Sequence, residues 1–85
     1  MDTHAAACEI LLELKPLAVQ SEDGIYGDRA RAVRDLDAAL TTASNDQVRF
    51  LLAPTGNLQE LALENGWGSK FNDFAVQLEK LLGII

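Results

Sequence analysis

A chain of 85 residues, 48% hydrophobic and 24% charged, supplies one small globular domain, 1–85, with a single modest core. Seven basic against thirteen acidic residues leave a formal net charge of −6, which opposes binding to phosphate backbones and anionic membrane surfaces and favours fast association with a basic protein. The one cysteine, Cys8, has no internal disulfide partner. The Met-Asp-Thr-His start lacks a basic signal-peptide opening, and Glu9 and Glu13 break the apolar stretch behind it, so a cytoplasmic chain without a membrane span is expected.

The spacing of apolar residues predicts an all-α fold, a compact bundle of four to five short helices. The first helix is expected over 3–19, where Ala7, Ile10, Leu11, Leu14, Leu17 and Ala18 form one stripe. Pro16 removes a backbone donor there, so a kink or an early end is expected near Lys15. Residues 20–27 (QSEDGIYG), with two glycines and the pair Glu22–Asp23, read as a loop. Asp28 caps a second helix to about residue 43, with Ala32, Val33, Leu36, Ala39, Leu40 and Ala43 on its apolar face and Arg31–Asp35 as an i,i+4 pair.

Ser44 with Gln47 reads as a capping box opening a short helix over 46–53, stopped by Pro54 and followed by a Thr55-Gly56 turn. Asn57 with Glu60 reads as a second capping box, opening a helix over 58–64 that presents Leu58, Leu61 and Ala62. Asn65-Gly66 ends it. Ser69 is expected to cap the last helix, 70–82, whose apolar stripe is Phe71, Phe74, Ala75, Leu78, Leu81, Leu82 and Ile85; Phe74 and Leu78 are expected to be buried. Trp67, in the turn before it, either covers the edge of the core or anchors an interface.

The residues that carry chemistry elsewhere do not assemble into a catalytic or metal pattern here. His4 and Cys8 sit at i, i+4, but a structural zinc site needs four ligands and no other His or Cys exists. The loop 21–28 (SEDGIYGD) superficially suggests a calcium loop. With Gly24 at the sixth position the twelfth is Ala30, and with Gly27 there it is Val33, so neither register supplies the bidentate glutamate. No catalytic residue, cofactor or metal site is expected. Ala62, then Gly66 and an aromatic, resembles the first helix and turn of helix-turn-helix DNA-binding domains. The would-be recognition helix after Ser69, however, offers only Lys70 and Lys80 as bases, and Asn72 falls where a buried aliphatic belongs.

The stretch 65–74 (NGWGSKFNDF) resembles a segment of a family of uncharacterised small bacterial proteins, through Gly66, Gly68, Ser69, Asn72, Asp73 and Phe74; Phe71 is an extra residue in that spacing. Some of those proteins resemble immunity proteins found beside polymorphic toxins, so the resemblance implies an inhibitor that acts by binding. Charge and size imply the same class: a small acidic module docking on a basic partner protein. Its expected surface is Glu9, Glu13, Glu22 and Asp23, with Tyr26 and Trp67 as aromatic anchors. The alternatives are an assembly subunit, a helical homodimer joined through its last helix, and a DNA-associated regulator. No nucleic-acid or membrane partner is expected for the leading reading.

Overall fold

The structure, a computed structural model, describes residues 3–42, 44–53 and 56–83, apart from the side chains of residues 3, 4 and 45. Among them are five helices and no strand: α1 (Thr3–Val19), α2 (Arg29–Thr42), α3 (Asn45–Leu51), α4 (Asn57–Glu64) and α5 (Gly68–Leu82). A radius of gyration of 11.7 Å matches the ~12 Å of a well-packed chain of this length.

The five helices share one core. Leu11, Leu14, Leu36, Leu61 and Leu78 are its largest fully enclosed side chains, together with Val48. Between them lie six buried alanines, Ala7, Ala18, Ala32, Ala39, Ala62 and Ala75, whose small side chains let the helix backbones approach. α1 packs chiefly on α2 and α5, and α4 bridges α2 to α5. Lys15 Nζ lies 2.7 Å from Asp37 Oδ1 and joins α1 to α2 at the surface. The i,i+4 pair Arg31–Asp35 closes at 3.9 Å.

Local chemistry explains most helix ends. Asp28 caps α2 as expected, its Oδ1 accepting the Arg31 N–H at 3.1 Å. Ser44 caps α3, its hydroxyl accepting the Gln47 N–H at 3.1 Å. α4 closes on a glycine-based Schellman turn: the Trp67 N–H reaches Ala62 C=O at 2.9 Å, the Gly66 N–H reaches Leu63 C=O at 3.4 Å, and Gly66 takes φ +79°.

Five expectations need correction. α1 does not end near Lys15 but continues through Pro16 to Val19. Leu12 and Pro16 are both exposed, so the carbonyl deprived of its proline donor lies on the solvent side of the helix, where leaving it without a backbone donor costs little. Asn57 does not cap α4; Gly56 does, without a side-chain bond, and the Asn57 carboxamide is used elsewhere. Ser69 does not cap α5. The cap is Trp67, again without a side-chain bond. Phe74 is half-buried beside the core, and the buried aromatic of α5 is Phe71. The Phe71 ring meets Trp67 edge-on, with centroids 6.4 Å apart at 66°. α3 ends at Leu51, two residues short of its expected end. Pro54, Thr55, Ala43 and Ile85, which the sequence also assigned to helix ends or stripes, lie outside the described residues.

Candidate partner interface

Residues 20–28 connect α1 to α2, and glycines at 24 and 27 suggest a loose chain. The structure shows the reverse: the loop is held by side chains of α4 and its C-cap. Asn57, Glu64 and Asn65 lie at i, i+7 and i+8, one face of a helix. Asn57 Oδ1 accepts the Asp28 N–H at 2.7 Å and its Nδ2 donates to Asp28 C=O at 2.9 Å. Asn65 does the same to Glu22, with both bonds at 2.9 Å, and its Nδ2 also donates to Leu61 C=O at 2.9 Å. Each carboxamide thus pairs with both peptide groups of one residue, as a neighbouring strand would.

Between these two clamps sits the Glu64 carboxylate. Oε2 accepts the N–H groups of Ile25 at 2.7 Å and Tyr26 at 3.1 Å, and Oε1 accepts the Gly27 N–H at 2.7 Å. The loop forms an anion-binding concavity of consecutive amides filled by the protein's own carboxylate. The Tyr26 N–H is the largest influence on Glu64 and lowers its pKa below the ordinary 4.5; partial desolvation opposes it, and the Gly27 and Ile25 N–H groups add to the lowering. The glycines are there for space. A Cβ on Gly24 would stand 2.3 Å from the Glu64 carboxylate, and one on Gly27 would stand 2.6 Å from Leu61 Cα.

Further bonds close the loop onto the bundle. Gly24 N–H donates to Gly27 C=O at 2.9 Å. Asp23 Oδ1 accepts the Arg29 N–H at 2.8 Å, and Arg29 Nε donates to Val19 C=O at 2.7 Å. At its base the Trp67 indole N–H donates to Ser21 Oγ at 2.9 Å, and that hydroxyl donates to Leu17 C=O at 2.7 Å. The backbone is therefore committed inward while two large, mainly apolar side chains are left outside: Ile25 is 88% exposed and Tyr26 75%.

The sequence-derived surface residues divide. Glu22, Asp23 and Tyr26 lie together in this loop, with Asp28 beside them, and all four are exposed. Glu9 and Glu13 are exposed on α1, and Glu13 lines a separate groove of about 400 Å³ between α1 and α5, with Leu17, Lys70, Phe74 and Gln77. Trp67 is 8% exposed with its N–H bonded internally, which makes it a core residue rather than a surface anchor. Sequence reasoning missed Ile25 and Glu64, and it took Asn57 and Asn65 for residues of purely local use. A second hollow of about 400 Å³ adjoins the tip, lined by Tyr26, Arg31, Gly56, Asn57 and Glu60.

Among the described residues no group of three or more His, Cys, Asp or Glu is placed to hold a metal ion, and no helix is long and apolar enough to cross a membrane. The His4 side chain lies outside the described residues. The α4–turn–α5 unit does place a left-handed glycine, Gly66, between two helices. Asn72 is exposed on α5, and Lys70 and Lys80 share the outer surface of that helix with Asp73, which leaves little positive potential for phosphates. Comparison with family models, with curated proteins and with solved structures returned no match.

Proposed function

We propose that this chain is a small acidic protein-binding module, an immunity-type or regulatory inhibitor that docks on a basic partner protein and acts by binding rather than catalysis. One observation carries the reading. Three exposed carboxylates, Glu22, Asp23 and Asp28, are gathered in a loop whose backbone is fixed from α4. Charges on a fixed frame steer encounter, and their orientation is not lost to loop motion. The net charge of −6 acts in the same direction over longer range.

The test is kinetic. Glu22→Lys reverses one of these charges and spares the clamp, because Asn65 holds Glu22 through its backbone groups. With the partner recovered from native lysate, this variant associates more slowly and with a flatter salt dependence, while its dissociation rate barely changes. Association insensitive to both salt and charge reversal would reduce the acidic loop to a solubility device.

A further inference from the structure

The tip of the 20–28 loop carries more than charge. Ile25 and Tyr26 are adjacent, almost fully exposed and largely apolar, in a segment with every reason to hide such side chains. A mobile loop with these residues would fold them onto the nearest apolar surface. Here Glu64 grips the N–H groups of both residues, and Asn57 and Asn65 grip the chain on either side. The two side chains are held outward by a backbone whose amides at 22 and 24–28 are bonded within the protein. A fixed tip has already met the ordering cost that weakens most loop-mediated contacts.

We propose that Ile25 and Tyr26 enter, side by side, an apolar socket on a partner protein whose rim carries Lys or Arg. The inference rests on the protein-binding reading and names the part of the surface that supplies affinity. Charge complementarity selects this occupant. Glu22, Asp23 and Asp28 flank the tip and, with Glu60 and Glu64 beside it, outnumber the neighbouring Arg29 and Arg31, so a partner able to close over it must bring cations to the edge of its socket. The same carboxylates repel an anionic lipid surface. They also repel the tip of a second copy of this chain, since a twofold contact would set like charges against each other. Tyr26 adds a hydroxyl at the outer end of an apolar ring, the pattern of an interface anchor with one wet end. The adjoining hollow, between Tyr26, Arg31, Asn57 and Glu60, extends the contact beyond the loop.

Photo-crosslinking tests the placement. Benzoylphenylalanine replaces Ile25 or Tyr26 and, as references, Leu12 or Val76, which are exposed on α1 and α5. Each variant is checked by melting temperature, irradiated in native lysate at low and high salt, and its adducts are sequenced. The expected result is a protein adduct from positions 25 and 26 but not from 12 or 76. It weakens at high salt and in the Glu22→Lys background, and it maps to an apolar segment with Lys or Arg beside it. The purified partner then binds the Ile25→Ser, Tyr26→Ser double variant about 30-fold or more weakly, through faster dissociation. Adducts from 12 or 76 alone would overturn the tip and leave the binding module standing. Adducts from 25 and 26 to lipid or to a second copy, or a socket without basic neighbours, would overturn the proposed occupant. No adduct from any of the four positions would overturn both readings.

Discussion

Gly27→Ala is the smallest change that tests whether the loop is pressed against α4. A methyl at this position would stand 2.6 Å from Leu61 Cα, 2.7 Å from Leu61 N and 2.8 Å from Glu64 Oε1. Ordinary carbon contacts lie at about 3.5–4.0 Å, so roughly 1 Å of room is lacking. Leu61 cannot yield it: its side chain is wholly buried and its backbone is part of α4. The loop must retreat instead. A retreat of that size takes the three bonds to Glu64, now 2.7, 3.1 and 2.7 Å, past hydrogen-bonding range. Overpacking of this kind costs about 1–3 kcal/mol, and a domain of this length loses about 4–8 °C of melting temperature per kcal/mol. Thermal melting followed by circular dichroism should therefore fall by about 5–20 °C, with faster amide exchange at 25–27. Gly24→Ala is the companion. Its methyl meets only the movable end of Glu64, so it disturbs the same amides with a smaller loss of stability. A Gly27→Ala protein that melts like the parent and keeps those amides protected would refute the close packing of loop on helix.

Three other outcomes follow from the geometry. Phe71→Ala costs about 3–5 kcal/mol in chemical denaturation, whereas Phe74→Ala, at a half-buried position on the α1–α5 groove, costs clearly less; equal losses would contradict the assignment of Phe71 to the core. Ser21→Ala strands the buried indole N–H of Trp67 and costs about 1–3 kcal/mol. Trp67 is the sole tryptophan, so a shifted emission spectrum reports the same event, and an unchanged spectrum and stability would count against the bond. Glu64 has a lowered folded pKa, so its contribution is complete above the unfolded value of 4.5 and disappears as pH falls through the folded value. The stability difference between the parent and Glu64→Gln is thus constant at neutral pH and shrinks only below pH 4.5, in melts recorded from about pH 7 to pH 3. A difference that grows on acidification would have the wrong sign.

The all-α architecture was legible because helical periodicity is a local signal, and the stripes of α1, α2 and α5 name most of the core. Asp28 and Ser44 were legible for the same reason, since a cap reaches only three residues along the chain. Asn57 and Ser69 have the same side-chain chemistry as caps, yet neither caps its helix. The choice between a local cap and a remote clamp depends on what the fold brings alongside, and Asp28 lies 29 residues from Asn57. Glu64 was unreadable in the same way. A glutamate at the end of a short helix looks solvated, and nothing in the order of residues says that a loop 37–39 residues earlier, with glycines at 24 and 27, wraps around it. Phe74 and Phe71 share one broad stripe, and only the docking of α5 on α1 and α4 decides that Phe71, Ala75 and Leu78 point to its centre. Of the acidic surface, Glu22 and Asp23 fell in one structural unit because they are adjacent in sequence. Their separation from Glu9 and Glu13 is a tertiary fact.

Native-state amide exchange at Ile25, Tyr26 and Gly27 tests most directly whether a carboxylate on α4 sets the shape of the exposed loop. The comparison is between the parent protein and Glu64→Ala at neutral pH, with Leu36 and Leu61 as core references. The expected result is protection of all three loop amides in the parent. In the variant all three move together toward the unprotected rate, while the two core amides stay slow. Loop amides that exchange freely in the parent, or at the same protected rate in both proteins, would contradict it.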